Sequence, residues 1–189
     1  MRIIDTGIPE VKIFEPNVFG DDRGYFCETF RDSFFREKVC DTEFIQENES
    51  KSSYGVLRGL HFQLPPFAQS KLVRVIVGEV LDISVDIRIG SPTYGKYVSV
   101  KLSDHNKRQV FIPRGFAHGY IALSDSVILN YKVDNYYSPE SEGSIYFNDQ
   151  TLNIDWKIKF DDILLSVKDK EAPTLENAKL FNFSDKLYR

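Results

Sequence analysis

The chain has 189 residues, 42% of them hydrophobic, with 15 Phe, 10 Tyr and a formal net charge of −4. That length and apolar content suit one globular domain with a sizeable core and exclude a disordered or low-complexity chain. The acidic balance excludes a general nucleic-acid or membrane-surface role, so an anionic ligand has to be held by a local cluster of cations.

The opening residues MRIIDTGIPEV lack the basic start and long apolar run of a secretory signal, and no stretch approaches the length of a membrane span. The reading is a cytoplasmic protein without membrane contact. Cys27 and Cys40 lack the paired spacing of a zinc site and read as free thiols in a reducing compartment.

Between Ile3 and Phe30, short apolar runs broken by Glu15-Pro16-Asn17 and by Gly20-Asp21-Asp22-Arg23-Gly24 predict strand, turn, strand. Asp32 is the expected cap of a short helix over Ser33 to Val39. From Phe44 the pattern turns to strands. In Val80 to Arg88, Leu81, Ile83, Val85 and Ile87 point one way while Asp82, Ser84, Asp86 and Arg88 point the other, which predicts a strand with one buried face. Val98, Val100 and Leu102 repeat the pattern, Ser103 to Asn106 makes a turn, Val110 to Ile112 resumes, and Val127, Leu129, Tyr131 and Val133 form a further set. Beyond Trp156 the signals weaken, and Pro173-Thr174-Leu175 is the expected opening of a short terminal helix.

Closely spaced strands separated by turn residues indicate an all-β antiparallel sandwich or barrel with a few short peripheral helices. One domain is expected over residues 1–189: an arm to about residue 50, a barrel core over about 51–150, and a C-terminal segment over about 151–189.

Chemistry concentrates in Val56 to Val77, where Arg58, His61 and Lys71 lie in or beside two apolar runs separated by Pro65-Pro66. A half-buried strand carries alternate side chains into a cavity, and three cationic or titratable groups there point to an anionic ligand. Arg58 and His61 are three apart, so a regular strand sends them to opposite faces. Either Gly59 permits a bulge that re-aims one of them, or Arg58 serves another part of the site. His105 sits in a polar turn and reads as solvated. His118 follows Pro113-Arg114-Gly115-Phe116-Ala117, a tight segment expected to set its imidazole at a strand end. A metal-holding barrel of this kind needs a His-x-His pair, but the residue two beyond His61 is Gln63, and two histidines without a carboxylate make a weak site. No functional metal is expected.

The runs Arg58 to Gln63, Ala68 to Val75, Gly90 to Gly95, Pro113 to Gly119 and Tyr136 to Glu140 resemble the dTDP-4-dehydrorhamnose 3,5-epimerase family, and matching segments extend from Phe19 to Asp169. The resemblance implies a cupin-type jelly-roll barrel, a homodimer, no cofactor and a dTDP-4-keto-6-deoxy sugar as substrate. By motif position, His61 corresponds to the family's base, Asp169 to its paired carboxylate, Tyr131 to the proton donor and Lys71 to the group beside the keto oxygen. Arg23, Glu28, Gln46, Asn48, Arg58, His118, Tyr137, Glu142 and Lys168 correspond to positions that hold the nucleotide sugar. The implied diphosphate pocket draws on both subunits, with Arg23 crossing over on an arm. The chain departs from the pattern at Glu49, where histidine is common, at Ser70, where glycine is usual, and at Val133-Asp134-Asn135, where Cys-Thr-Asp is commoner. The competing readings are an epimerase acting at C3 or C5 alone, a non-catalytic sugar-nucleotide module, and a metal-dependent oxygenase that Gln63 disfavours.

Overall fold

The computed structural model describes residues 1–188. Its strands run, in chain order, β1 (Arg2–Asp5), β2 (Lys12–Glu15), β3 (Val18–Asp21), β4 (Gly24–Cys27), β5 (Gln46–Ser52), β6 (Leu57–Gln63), β7 (Lys71–Val77), β8 (Glu79–Asp86), β9 (Arg88–Ile89), β10 (Tyr97–Ser103), β11 (Gln109–Ile112), β12 (Phe116–Ala122), β13 (Val127–Val133), β14 (Glu142–Ser144) and β15 (Phe181–Asn182). Two sheets carry the architecture, a six-stranded one in the order β1-β2-β11-β7-β13-β5 and a five-stranded one in the order β10-β8-β12-β6-β14. Their pairings are antiparallel, and β9 with β15 forms a small parallel pair. The expected antiparallel barrel is the fold observed.

Between the sheets, Val73 and Val75 of β7, Val110 and Ile112 of β11 and Val127 and Leu129 of β13 meet Val80 of β8, Val100 of β10 and Phe116 and Tyr120 of β12. The alternation along each strand puts these residues on the inner faces, where each buried aliphatic side chain contributes roughly 1.5–3 kcal/mol. A second core lies outside the five-stranded sheet. There Leu57, Leu60, Phe62, Leu81, Ile83, Val85 and Ile121 pack under Ile145, Phe147, Leu152, Trp156, Leu175 and Phe181. The weakly patterned C-terminal segment is therefore a cover. It is braced within itself by side-chain bonds such as the indole N–H of Trp156 donating to the Phe147 carbonyl at 3.0 Å.

That second core corrects the expectation for Val80 to Arg88. The period of two is present in β8, but both faces are covered, and Asp82, Ser84 and Asp86 are at most 1% exposed. The polar face turns into the barrel and finds partners there: Asp86 accepts from Arg88, Ser91 and Thr93, and Asp82 meets His118.

The helix α1 spans Asp32–Lys38, and its cap is Arg31, with no side-chain capping bond. Asp32, expected as the cap, instead lies in the first turn, where its carboxylate stands 3.5 Å from Arg36. Phe35 anchors α1 against Phe14 and Phe111 on the outer side of the six-stranded sheet. The helix expected after Pro173 is also corrected. That stretch is a turn, pinned because a carboxylate oxygen of Asp149 accepts the Leu175 N–H at 2.8 Å. A second helix, α2, covers only Val167–Lys170.

Of the first 52 residues, β1, β2 and β5 belong to the six-stranded sheet, while β3 and β4 form a separate hairpin. That hairpin exposes Phe19, Tyr25 and Phe26 by 60% or more. No helix among the described residues is long and apolar enough to cross a membrane.

Candidate active site

The interior of the barrel opens into a cavity of about 450 Å³ whose lining includes Arg58, His61, Lys71, His118, Tyr120, Tyr131, Lys168 and Asp169. The two walls come from different sheets. His61 and Arg58 project from β6 and His118 from β12, while Lys71 on β7 and Tyr131 on β13 project from the facing sheet.

The register between β6 and β12 shows how Arg58 and His61 share one face. His118 pairs with His61 and Tyr120 with Arg58, so two steps along β12 match three along β6. The extra residue is a bulge at Gly59, whose φ of +130° favours glycine. Of the two routes open from the sequence, the bulge is the one taken. His118 stands within β12 rather than at its end, which corrects the expected placement, because Phe116 and Ala117 already pair with β8.

His61 Nε2 lies 2.6 Å from a carboxylate oxygen of Asp169. The other carboxylate oxygen accepts the Ser166 hydroxyl at 2.7 Å, and Ser166 caps α2 by accepting the Asp169 N–H. Burial pushes the Asp169 carboxyl up, but the hydrogen bonds from His61 and Ser166 outweigh it and hold the group below its ordinary value. A charged Asp169 fixes the proton of His61 on Nε2, which leaves Nδ1 free to take a proton.

A second pair lies deeper, with His118 Nε2 at 2.8 Å from Asp82. Burial is the main cause that lowers the pKa of His118, against the pull of Asp82, so the ring is neutral at neutral pH. Lys71 is lowered to about 8, chiefly by desolvation, with Asp82 and Glu142 opposing. Its ammonium is present at neutral pH and is lost as pH rises through that value. Burial raises Tyr131 as well, which keeps the phenol protonated and able to donate.

Lys168, which lines the cavity, pairs with Glu142, and the Tyr137 hydroxyl donates to Glu142 at 3.0 Å, although Glu142, Tyr137, Gln46 and Asn48 are not themselves among the lining residues. Gln46 accepts the Tyr137 N–H at 3.3 Å and donates to the Asn48 side chain at 2.9 Å, and Asn48 is the cross-strand partner of Tyr131. The hairpin residues stand apart. Arg23 pairs with Asp21 and Glu28 with Arg31, all exposed, and none lines the cavity. Gln63 is buried and occupied, donating to the Phe67 and Tyr136 carbonyls and accepting the Ser138 N–H at 2.7 Å. Among the described residues, no three His, Cys, Asp or Glu side chains converge as metal ligands do.

Sequence reasoning missed Tyr120, whose hydroxyl lies 3.0 Å from Ser50 Oγ and 3.1 Å from Ser52 Oγ, and it missed Asp82 and Ser166. Tyr120 was discoverable, since it follows His118 by two on the same strand face.

Residues 5–177 match the family model described as dTDP-4-dehydrorhamnose 3,5-epimerase. The enzyme of that name from Shigella flexneri is 52% identical over 182 residues, covering 96% of this chain and 99% of the relative. A crystal structure of the 3,5-epimerase from Legionella pneumophila, in complex with dTDP-4-keto-L-rhamnose, superposes with a TM-score of 0.93 at 46% identity over 97% of this chain and 99% of that one. A 3′-monoepimerase from Streptomyces bikiniensis, in complex with dTDP-quinovose, is more distant at 34% identity and a TM-score of 0.83, covering 91% of this chain and 87% of that one. With the match running through the barrel and the C-terminal cover alike, this chain belongs to the dTDP-4-dehydrorhamnose 3,5-epimerase family.

Proposed function

We propose that the protein inverts C3 and C5 of dTDP-4-keto-6-deoxy-D-glucose to give dTDP-4-keto-L-rhamnose. One observation carries this reading: an oriented His–Asp base and a protonated phenol project into one cavity from opposite sheets, with a lysine beside them. A ketone at C4 acidifies the hydrogens on C3 and C5, because the carbanion delocalises onto oxygen as an enolate, so neither inversion requires a redox group.

His61 Nδ1 takes the carbon-bound proton and the electron pair moves to the C4 oxygen, where Lys71 stabilises the negative charge. Tyr131 delivers a proton to the other face of the same carbon as the enolate collapses. The step leaves an imidazolium and a phenolate, and a net proton transfer between them resets the site for the second centre. Arg58, His118 and Lys168 hold the nucleotide sugar, with Gln46, Asn48, Tyr137 and Glu142 closing the mouth.

Incubation with dTDP-4-keto-6-deoxy-D-glucose in deuterated water, followed by NMR, tests the assignment. Label is expected at both C3 and C5. Label at one carbon would make the enzyme a single-site relative, as in the S. bikiniensis protein, and none despite tight dTDP binding would leave a binding module.

The exposed, aromatic hairpin of β3 and β4 supports a homodimer in which Arg23 and Glu28 complete the partner's site. Mixing inactive Arg23→Ala protein with inactive His61→Ala protein is expected to restore up to about a quarter of wild-type activity, through hybrid dimers with one intact site. No recovery after verified subunit exchange would show that each site is built from one chain. Two half-buried free thiols fit a reducing compartment and support the cytoplasm as the site of action.

A further inference from the structure

Lys71, Tyr131 and His118 sit on three strands whose ends are tied together by a polar knot outside the cavity. Ser70, fully buried, immediately precedes Lys71, and its N–H donates to Asp134 at 2.6 Å. Asp134 follows the last residue of β13, three positions beyond Tyr131. Its second carboxylate oxygen accepts from Arg114 Nε at 3.1 Å and from Thr42 Oγ1 at 2.9 Å. Arg114 lies two residues before β12, which carries His118. One carboxylate thereby fixes the starts of β7 and β12 to the end of β13.

The C-terminal tail closes this knot. The Tyr188 hydroxyl accepts the Arg114 N–H at 2.9 Å and lies 2.7 Å from Ser70 Oγ. The Arg114 guanidinium donates to the Leu187 carbonyl at 2.7 Å and its Cζ stands 5.2 Å from the centre of the Tyr188 ring. Burial pushes the Tyr188 phenol up, so it stays neutral and the contact is a hydrogen bond through the whole working pH range. The tail lies beyond residue 177, where the family match ends.

We propose that Tyr188, acting through the Ser70 hydroxyl, is a positioning residue for Lys71, and that the C-terminal tail is a latch setting where β7 enters the cavity. The inference rests on the epimerase reading above. A group that stabilises developing charge acts only if held to within a fraction of an ångström, so a loosened strand entry lowers turnover more than binding. The nucleotide is held by other residues, which leaves KM as an internal control.

The test compares Tyr188→Phe, Ser70→Ala and the double variant with wild type, using deuterium incorporation into dTDP-4-keto-6-deoxy-D-glucose and thermal unfolding. Each single variant is expected to lose about tenfold in kcat with KM within about twofold. The double variant should lose no more than Tyr188→Phe alone, because Ser70→Ala removes only a hydrogen bond that Tyr188→Phe has already removed. Unchanged kcat in Tyr188→Phe, even with a lowered Tm, would reduce the tail to a structural clamp and overturn the proposal, as would losses that multiply in the double variant. If Tyr188→Phe fails to fold, Ser70→Ala alone decides by the same criterion. Wild-type protein that labels neither carbon would defeat the epimerase reading itself, whereas a labelling wild type with unaffected variants defeats only the latch.

Discussion

Replacing His61 by glutamine is expected to lower turnover about a thousandfold while leaving dTDP affinity within about threefold of wild type. Glutamine places its amide nitrogen where the imidazole Nε2 stood and keeps a donor toward Asp169, so the buried carboxylate retains a partner and the cavity keeps its shape. What disappears is the Nδ1 lone pair, the only feature of this side chain able to take a proton from carbon. Isothermal titration with dTDP and label exchange on the same preparation separate the two effects. Turnover within tenfold of wild type would move the base elsewhere, with the neutral His118 next to be examined. Tyr131→Phe is the complementary variant. It should keep exchange with deuterated solvent while losing net inversion, and equal loss of both would remove Tyr131 from the donor role.

Alanine at Gly59 should destabilise the fold by more than about 3 kcal/mol and abolish activity in whatever protein remains folded. The backbone there has φ +130°, and an added Cβ would collide with the Gly119 Cα and lie 2.8 Å from the His118 carbonyl oxygen. Both obstacles are backbone of the neighbouring strand, so no side chain can move aside. Gly95→Ala is the control, since its φ is +72° but nothing lies within 4 Å of the added carbon, and its cost should stay near 1 kcal/mol. Urea midpoints of the two variants check the difference, and a wild-type midpoint for Gly59→Ala would mean that Arg58 and His61 do not depend on this bulge.

The strands were legible because period-two alternation is a local property, and β8, β10, β11 and β13 fall close to where the pattern puts them. What covers a strand is not local. Leu81 and Asp82 lie on opposite faces, yet both are buried, because the apolar face is roofed by residues from Ile145 onward and the polar face lines the barrel. The bond between His61 and Asp169 joins residues 108 apart in sequence, and nothing in the spacing of either announces the other. Only the resemblance brought Asp169 forward, and it gave no role to Asp82, Ser166 or the tail. The Pro173 helix failed for a similar reason: a distant carboxylate, that of Asp149, captured the N–H groups of Leu175 and of Thr151 and Leu152.

The roof over the five-stranded sheet has a consequence for how the protein is made. On a ribosome that has released only as far as β14, the strands that carry His61 and His118 are present, but Leu57, Leu60, Phe62, Ile83 and Val85 have no cover and offer nascent chains a sticky face. Asp169 arrives in the same segment that supplies the cover, so His61 gains its carboxylate partner only when that surface is sealed. Premature termination therefore yields chains that lack the His61–Asp169 pair as well as the cover, and their bare apolar face marks them for quality-control proteases.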